Sequence, residues 1–262
     1  MTTATDTSLL GRVVWHELLT TDMKAAEKFY TNVVGWTVKP FGPAGSANEY
    51  DILVRSDGEG IGGVMRIPQG MHFPPHWGMY IGVPGLENAV TQIERAGGSR
   101  LSGLIEVPDT GRMWTMKDPQ GAAFSIIEPA SSERRPEVEP VVGDCSWHEL
   151  YTTDLDAALK FYSDVFGWRA FDAVDMGEMG TYQMFGRLFP LGGMMKKPPM
   201  LAQAPPHWLM YFLVPDVHAG AERVTANGGK VINGPMEVPG GDWIVNCLDP
   251  QGAAFSLHQR KQ

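Results

Sequence analysis

The chain repeats itself, and this duplication constrains its fold more than any other sequence feature. Trp15-His-Glu-Leu18 returns as Trp147-His-Glu-Leu150, 132 positions later. Near the end of each copy, Asp118-Pro-Gln-Gly121 returns as Asp249-Pro-Gln-Gly252, 131 positions later. A drift of one residue over so long a stretch means that the copies differ by very few insertions. A repeat of this length predicts two domains of one fold in tandem.

The segment between the copies differs from both of them in composition. It runs from Pro129 to Pro140 and is rich in proline, serine and charged residues, as exposed linkers are. We therefore predict an N-terminal domain at residues 1–129, a linker at 130–139 and a C-terminal domain at 140–262.

Each copy shows the same order of predicted elements twice. Val13–Thr20 is apolar and β-branched enough for a strand, and Asp22 is placed to cap the helix that ends at Gly35. Other strands are predicted at 50–54, 61–67, 79–83, 112–117 and 122–127, and a second helix at 86–96. This order gives four βαβββ modules and an α+β fold class.

Charge and apolar patterning exclude several classes of partner. The chain has 30 acidic against 21 basic residues, so neither nucleic acid nor an acidic membrane surface is an expected partner. No apolar run approaches the roughly 20 residues of a membrane span, and the first residues do not resemble a secretory signal. Cys145 and Cys247 stand at non-equivalent places in the copies, which predicts neither a disulfide framework nor a metal cage. We expect a cytoplasmic protein.

Two motifs recur at the ends of each copy and resemble those of a known superfamily. The opening motif is Asp-x-x-x-Ala-x-x-Phe-Tyr-x-x-x-x-Gly-Trp, and the closing motif is Asp-Pro-x-Gly. Together they resemble the vicinal oxygen chelate superfamily, which holds glyoxalase I, bleomycin-resistance proteins and extradiol dioxygenases, and within it the two-domain glyoxalase-like proteins. The resemblance implies βαβββ modules whose mixed sheets curl around open clefts. It does not imply one chemistry, because the superfamily spans lyases, transferases, oxygenases and binding proteins.

The resemblance also implies three metal-ligand positions in each copy, and none carries a suitable side chain. The residues found there are Trp15, Gly78 and Ser125 in the first copy and Trp147, Leu209 and Ser256 in the second. Such side chains are poor ligands for a catalytic divalent ion. We therefore predict no metal and no other cofactor. The alternative is an ion displaced by two residues along the strands, held by Glu17 with His76 and by Glu149 with His207.

Glu17 and Glu149 are the candidate catalytic residues. If the resemblance gives the right register, they face the clefts, where a carboxylate could act as a general base or a polar anchor. The competing interpretation is a salt bridge at the rim, for example to Arg112. His16 and His148 point to the opposite strand face, which favours hydrogen-bonded structural histidines. His258 has no counterpart in the first copy, and we expect it at the surface.

Paired aromatic residues are candidates for binding a ligand. Ligand sites favour aromatic walls with a few polar groups, although core packing would explain many of the same residues. The candidate ligand-binding residues are Trp15, Trp77, Tyr80, Arg112, Trp114, Trp147, Trp208, Tyr211, Trp243, His76 and His207.

Three functions are compatible with these observations. The first is a metal-free protein that binds a small apolar or aromatic molecule in its clefts. The second is a lyase, isomerase or oxygenase that uses Glu17 or Glu149 as a base or holds a displaced metal. The third is a structural protein whose clefts are filled by side chains. A small-molecule ligand is the expected partner, and the chain is expected to be a monomer or a homodimer.

Overall fold

A computed structural model of the chain describes residues 9–42, 49–131 and 137–261. The first eight residues, which bear on the secretory signal, and positions 132–136 of the predicted linker lie outside the described residues. The helices are α1 Met23–Val33, α2 Leu86–Arg95, α3 Leu155–Phe166 and α4 Val217–Ala226. None of the helices within the described ranges is long and apolar enough to cross a membrane.

The strands follow the duplication. In the first repeat they are β1 Val13–Thr20, β2 Thr37–Phe41, β3 Tyr50–Val54, β4 Gly60–Arg66, β5 His76–Gly82, β6 Ser99–Arg100, β7 Ile105–Val107, β8 Gly111–Lys117 and β9 Ala123–Pro129. In the second they are β10 Cys145–Thr152, β11 Arg169–Asp175, β12 Thr181–Gly186, β13 Pro190–Lys196, β14 His207–Leu213, β15 Lys230–Glu237, β16 Trp243–Leu248 and β17 Ala254–Gln259.

Each repeat contributes one mixed sheet. The strand orders are β2-β3-β4-β1-β5-β9-β8-β6, with β7 paired to β8, and β11-β12-β13-β10-β14-β17-β16-β15. In the first sheet β1 runs parallel to β4 and β5 parallel to β9, while β2, β3 and β4 pair antiparallel. The prediction of an α+β fold with two glyoxalase-like domains is confirmed. The predicted boundaries near residues 129 and 140 stay a prediction.

The chain folds into two compact units, and each unit takes residues from both repeats. One contains Met79–Glu137 and Glu149–Trp208 together with the segment that ends at Val14. In it, α2 packs against α3. The other contains Trp15–Gly78, Val138–His148 and Leu209–Gln262, and in it α1 packs against α4.

A buried hydrogen-bond relay joins the repeats inside each unit. In one, the Trp77 indole donates to the Tyr30 hydroxyl at 2.8 Å, and Tyr30 donates to the Asp249 carboxylate at 3.2 Å. In the other, Trp208 donates to Tyr162 at 3.2 Å, and Tyr162 donates to Asp118 at 3.1 Å. The opening motif of one repeat thus meets the closing motif of the other.

The aspartate of each relay also organises its own turn. Asp118 Oδ1 accepts the backbone N–H groups of Gln120, Gly121 and Ala122 at 2.7–2.9 Å. Burial raises the pKa of Asp118 and of Asp249, although these hydrogen bonds to the carboxylates oppose the shift. Burial likewise raises the pKa of both relay tyrosines, so they stay protonated donors.

The tryptophans of the Gly-Trp motifs are core residues with specific polar partners. Trp36 donates to the backbone carbonyl of Gly143 at 2.8 Å, and Trp168 donates to that of Gly11 at 2.7 Å. Both indoles are fully buried. Because a buried N–H without an acceptor is costly, these bonds fix where each indole can lie.

His258 is buried, so the expectation that it lies at the surface was wrong. Its exposed fraction is 8%, and it bonds Ser146 Oγ at 2.8 Å and Asp242 at 3.0 Å. Burial is the main cause that lowers the pKa of His258, and Arg260 lowers it further, while Asp242 opposes the shift. The expectation rested on the absence of a counterpart in the first repeat, which does not show whether other elements cover the residue.

Acidification should therefore destabilise the protein partly through His258. A histidine whose pKa is lowered by folding binds its proton more readily in the unfolded chain, so stability falls as pH drops below about 6.5. The slope is at most about 1.4 kcal/mol per pH unit for this one group. Urea unfolding at pH 7.5 and 5.5 should show a smaller loss in His258→Gln than in the wild type. Equal losses in the two proteins would contradict this.

Candidate functional site

Glu17 lies on the sheet face that β1 shares with β3 and β4, beside an aromatic pair. The Trp15 indole donates to the Tyr50 hydroxyl at 2.8 Å, and the Tyr50 hydroxyl is hydrogen-bonded to the Glu17 carboxylate. Burial, with the charge of Glu17, raises the pKa of Tyr50, so its hydroxyl keeps its proton. We call Trp15, Glu17, Tyr50 and Gly63 the first carboxylate site.

Gly63 makes room for this arrangement. It is the register partner of Glu17 across the parallel β1–β4 pair. A Cβ atom built on Gly63 would overlap the ring and hydroxyl of Tyr50. The Tyr50 ring can therefore occupy the space over Gly63 only because this position carries no side chain.

The second repeat builds a related site in the other compact unit. Tyr182 donates to Glu149 Oε2 at 3.0 Å, and its ring lies over Gly193, where a Cβ would overlap it. Tyr151 is also hydrogen-bonded to Glu149, and burial raises the pKa of that tyrosine. We call Tyr151, Glu149, Tyr182 and Gly193 the second carboxylate site.

One substitution distinguishes the two sites. The position of Tyr151 in the second repeat is held by Leu19 in the first. The Tyr151 ring also contacts the His207 imidazole, with 5.3 Å between centroids. The second site is therefore more polar than the first.

Burial at the first site is intermediate rather than complete. Glu17 is 9% exposed, whereas the apolar and aromatic residues on its strand face are half-buried. The residues sharing that face by strand alternation are Trp15, Leu19, Tyr50, Ile52 and Met65. A nearly buried carboxylate among partly exposed apolar side chains can hydrogen-bond a ligand that covers those side chains.

Several candidate ligand-binding residues lie in the core or in local contacts. Trp77 and Trp208 are buried among aromatic rings, where their N–H groups begin the relays. Trp114 lies under the Arg100 guanidinium at 5.1 Å, and Trp243 contacts the His218 ring at 5.0 Å.

Tyr80 and Tyr211 occupy equivalent positions in the two sheets. Both are buried, and each is the register partner of a serine, Ser125 for Tyr80 and Ser256 for Tyr211. Trp147 is half-buried and by alternation shares a strand face with Glu149.

The candidate histidines and arginine have local partners. The His76 ring bonds the Pro74 carbonyl at 2.9 Å, and the His207 ring bonds the Pro205 carbonyl at 2.8 Å. Arg112 pairs with Glu87 and Glu128 at 2.6–3.0 Å, so the suggested salt bridge from Arg112 to Glu17 is not formed. The guanidinium instead links α2 to β9.

The residues at the implied metal positions do not fit a metal ion. The Trp15 N–H is a donor already used by Tyr50, and Gly78 has no side chain. The Ser125 and Thr115 hydroxyls are hydrogen-bonded to each other at 3.2 Å. The buried Ser256 hydroxyl has no hydrogen-bond partner within the described chain. Neutral hydroxyls and an indole do not replace the imidazole and carboxylate ligands of such a centre. No chemical step is therefore assigned to an ion at these positions.

The tyrosine and glycine members of both carboxylate sites were missed by the sequence analysis. A usable signal existed, because Tyr50 recurs as Tyr182 at the same 132-residue spacing as Glu17 and Glu149. The Gly62-Gly63 and Gly192-Gly193 pairs are a second signal, because glycine inside a strand often marks a close approach, but they do not indicate which ring approaches.

A surface groove of about 710 Å³ lies in the unit that contains the second carboxylate site. Its lining combines the N-terminal end of α3 with two loops and contains none of the predicted site residues. The lining residues are Thr153, Asp154, Leu155, Asp156, Glu178, Met179, Gly180, Thr181, Lys196, Lys197, Pro198 and Pro199.

Comparison with protein families agrees with the duplication. A family model described as a glyoxalase-like domain matches residues 13–127. A second model, described as the glyoxalase/bleomycin resistance protein/dioxygenase superfamily, matches residues 145–257. The two matches leave little of the chain outside them.

Curated relatives match over almost their whole length. The chain is 32% identical over 250 residues to the Mycobacterium bovis protein named Putative glyoxylase CFP32, covering 94% of each chain. It is 30% identical over 267 residues to the anthracycline biosynthesis protein DauV of Streptomyces sp. strain C5, covering 96% of this chain and 94% of the relative.

Solved structures share the fold at low identity. The Mn(II)-bound glyoxalase from Novosphingobium aromaticivorans superposes with a TM-score of 0.67 at 16% identity, over 97% of this chain and 83% of that one. The 2,3-dioxygenase LapB from Pseudomonas sp. KL28 gives 0.65 at 14% identity, over 97% and 94%. At such identities the likeness concerns the fold alone.

Proposed function

The chain belongs to the glyoxalase/bleomycin resistance/dioxygenase superfamily, and from that premise we propose that it binds a small aromatic molecule at its carboxylate sites, without the superfamily's usual catalytic metal. The observation that carries the proposal is the Glu17 carboxylate. It is nearly buried, hydrogen-bonded by Tyr50, and surrounded by half-buried apolar side chains.

The geometry favours a flat ligand that carries a hydrogen-bond donor. Covering the exposed apolar area of this face stabilises the complex by about 25 cal/mol per Å². A ligand that covers this face also shields the Glu17 carboxylate from water. A hydrogen-bond donor on the ligand then stabilises the complex, because hydrogen bonds to charged groups are worth about 1.5–3 kcal/mol. An aromatic phenol or hydroxyquinone provides both the flat face and the donor.

The names of two relatives support an aromatic ligand. Both are anthracycline biosynthesis proteins from Streptomyces, at 30% identity to this chain. Anthracyclines contain fused aromatic rings with phenolic and quinone oxygens, which is the chemistry that the Glu17 face suits. The first site is the better candidate, because Leu19 gives it an apolar wall where the second site has Tyr151.

An enzyme is the second candidate, and a specific contact favours it. Each glutamate accepts a hydrogen bond from a tyrosine hydroxyl, so a carboxylate base lies beside a fixed hydrogen-bond donor at both sites. The carboxylate can remove a proton from a bound molecule and return it at another atom, as a lyase or isomerase requires. In this alternative Glu17 and Glu149 are the bases.

Substituting the glutamates tests both candidates. We expect Glu17→Gln to weaken binding of the anthracycline doxorubicin at least tenfold, about 1.4 kcal/mol, because the charged acceptor is lost. Quenching of doxorubicin fluorescence gives the dissociation constant. Glu149→Gln reports the second site, and Glu94→Gln, on the exposed face of α2, is the matched control.

The outcomes separate the two candidates. Unchanged affinity in the Glu17→Gln, Glu149→Gln double variant would refute binding through the carboxylates. For the enzyme, any turnover found by screening should be abolished in the double variant. Turnover that survives there would remove both proposed bases.

A further inference from the structure

A cluster of three potential metal ligands lies outside both carboxylate sites. His16 Nε2 is 2.9 Å from His148 Nε2, and Cys145 Sγ is 3.5 Å from His148 Nε2. The three ligand atoms all lie within 4.8 Å of one another. Within the described ranges, no other group of three or more His, Cys, Asp or Glu side chains is close enough to share an ion.

The two shorter of these separations are close to those of a tetrahedral centre. Zinc bonds of about 2.0 Å to nitrogen and 2.3 Å to sulfur place two nitrogens roughly 3.3 Å apart and a nitrogen and a sulfur roughly 3.5 Å apart. The two imidazoles would need to separate by only a few tenths of an ångström to admit the ion.

A backbone contact orients one of the two imidazoles. The His16 ring also donates a hydrogen bond to the backbone carbonyl of Ile61. A second bond of this kind sets the ring orientation of metal-ligating histidines and makes them better ligands.

The cluster is built jointly by both repeats. His16 lies on β1, whereas Cys145 and His148 lie on β10, and all three belong to the same compact unit. The position equivalent to Cys145 in the first repeat is Val13. His16 and His148 are therefore equivalent residues of the two repeats, whereas Cys145 has no cysteine at the equivalent position of the first repeat.

We propose that His16, Cys145 and His148 form a binding site for one Zn²⁺ ion. Two imidazoles and a thiolate are the ligand set that zinc prefers, and three protein ligands leave a fourth position for water. On binding, the Cys145 thiol gives its proton to solvent, the sulfur donates an electron pair to the ion, and no redox partner is needed. The ion would join β1 to β10. It is distinct from the implied superfamily centre, whose β1 position is Trp15.

Cobalt reports this ligand set directly. The full-length protein, purified with reductant and stripped with chelator, should bind one Co²⁺ per chain. The complex should show the thiolate-to-cobalt band in the near ultraviolet and the visible bands of tetrahedral cobalt. Adding Zn²⁺ should displace Co²⁺ and remove both sets of bands, and Zn²⁺ should raise the melting temperature of the stripped protein.

Matched variants identify the ligands. Cys145→Ala should lose the near-ultraviolet band, and Cys247→Ala should keep it, because Cys247 is a buried free thiol whose sulfur faces the Val245 carbonyl. His16→Gln and His148→Gln should each weaken Co²⁺ binding at least a hundredfold. Circular dichroism checks that each variant is folded.

Three results would overturn the proposal. The first is a wild-type protein that takes up neither Co²⁺ nor Zn²⁺ at micromolar concentration. The second is bound cobalt with no thiolate band. The third is a band that survives in Cys145→Ala, or one that disappears in Cys247→Ala. These readouts do not depend on doxorubicin binding, so they are independent of the proposed function.

Discussion

Replacing Tyr30 by phenylalanine should lower the free energy of unfolding by about 2–4 kcal/mol, although only one oxygen atom is removed. That hydroxyl accepts the Trp77 N–H and donates to the Asp249 carboxylate, and all three side chains are buried. Its loss leaves the indole donor without its acceptor and the buried Oδ2 of Asp249 without its donor, while Asp249 Oδ1 keeps its backbone N–H donors. Tyr162→Phe should have the same effect through Trp208 and Asp118, because the second relay has the same geometry.

Urea denaturation measures both losses. Tyr50→Phe is the matched control, because it also removes one hydroxyl between an indole and a carboxylate, but at a half-buried position where water can replace it. We expect the control to cost about 1 kcal/mol. In a double-mutant cycle, Tyr30→Phe with Asp249→Asn should be less destabilising than the sum of the single changes. A Tyr30→Phe protein within 1 kcal/mol of wild type would mean that the relay contributes little.

The second large effect is expected from Gly63→Ala. The new methyl group would overlap the Tyr50 ring, so the ring must leave its place over β4, and Glu17 loses the hydroxyl bonded to it. We expect doxorubicin affinity at the first site to fall by more than tenfold, about 1.4 kcal/mol or more. Fluorescence titration measures this, and Gly193→Ala makes the equivalent change at the second site.

Two further variants distinguish the effect of the steric overlap with Tyr50 from a general loss of stability. Gly103→Ala is the neutral control, because no atom lies within 4 Å of the added carbon and the backbone there is not left-handed. Adding Tyr50→Ala to Gly63→Ala should recover stability, since it removes the overlapping ring, but it should not recover binding. Full doxorubicin affinity in Gly63→Ala would show that the ligand does not use the Tyr50–Glu17 arrangement.

Local signals in the sequence were sufficient for most elements of the fold. Val13–Thr20 and Tyr50–Val54 were predicted with the bounds that the structure shows, and the Asp22 carboxylate caps α1 as predicted, accepting the Ala25 N–H. The strand at Thr37–Phe41 was missed because it lies at a sheet edge and is largely exposed, so it lacks an apolar alternation. An element was predicted correctly where its local sequence pattern was strong and was missed where that pattern was weak.

The candidate sites were harder to predict because their contacts span distant parts of the chain. The strand face of Glu17 followed from alternation, but its partner Tyr50 comes from β3 and depends on the register of β4. Trp77 was predicted as a ligand-binding residue, whereas the structure gives it a core position opposite Tyr30. A comparison of the repeats gives no indication of a role for Cys145, since its counterpart is Val13.

The exchange of segments between the repeats has a consequence for how such a chain could arise. Severing the backbone between residues 137 and 138 would leave each compact unit divided between two polypeptides, because each unit draws on both halves. Neither fragment would then carry a complete core. A single-repeat ancestor would have needed a second copy of itself to complete that core. Fusion of two such copies would turn the partner into part of the same chain, after which one half could acquire a residue that the other lacks, such as Cys145 opposite Val13.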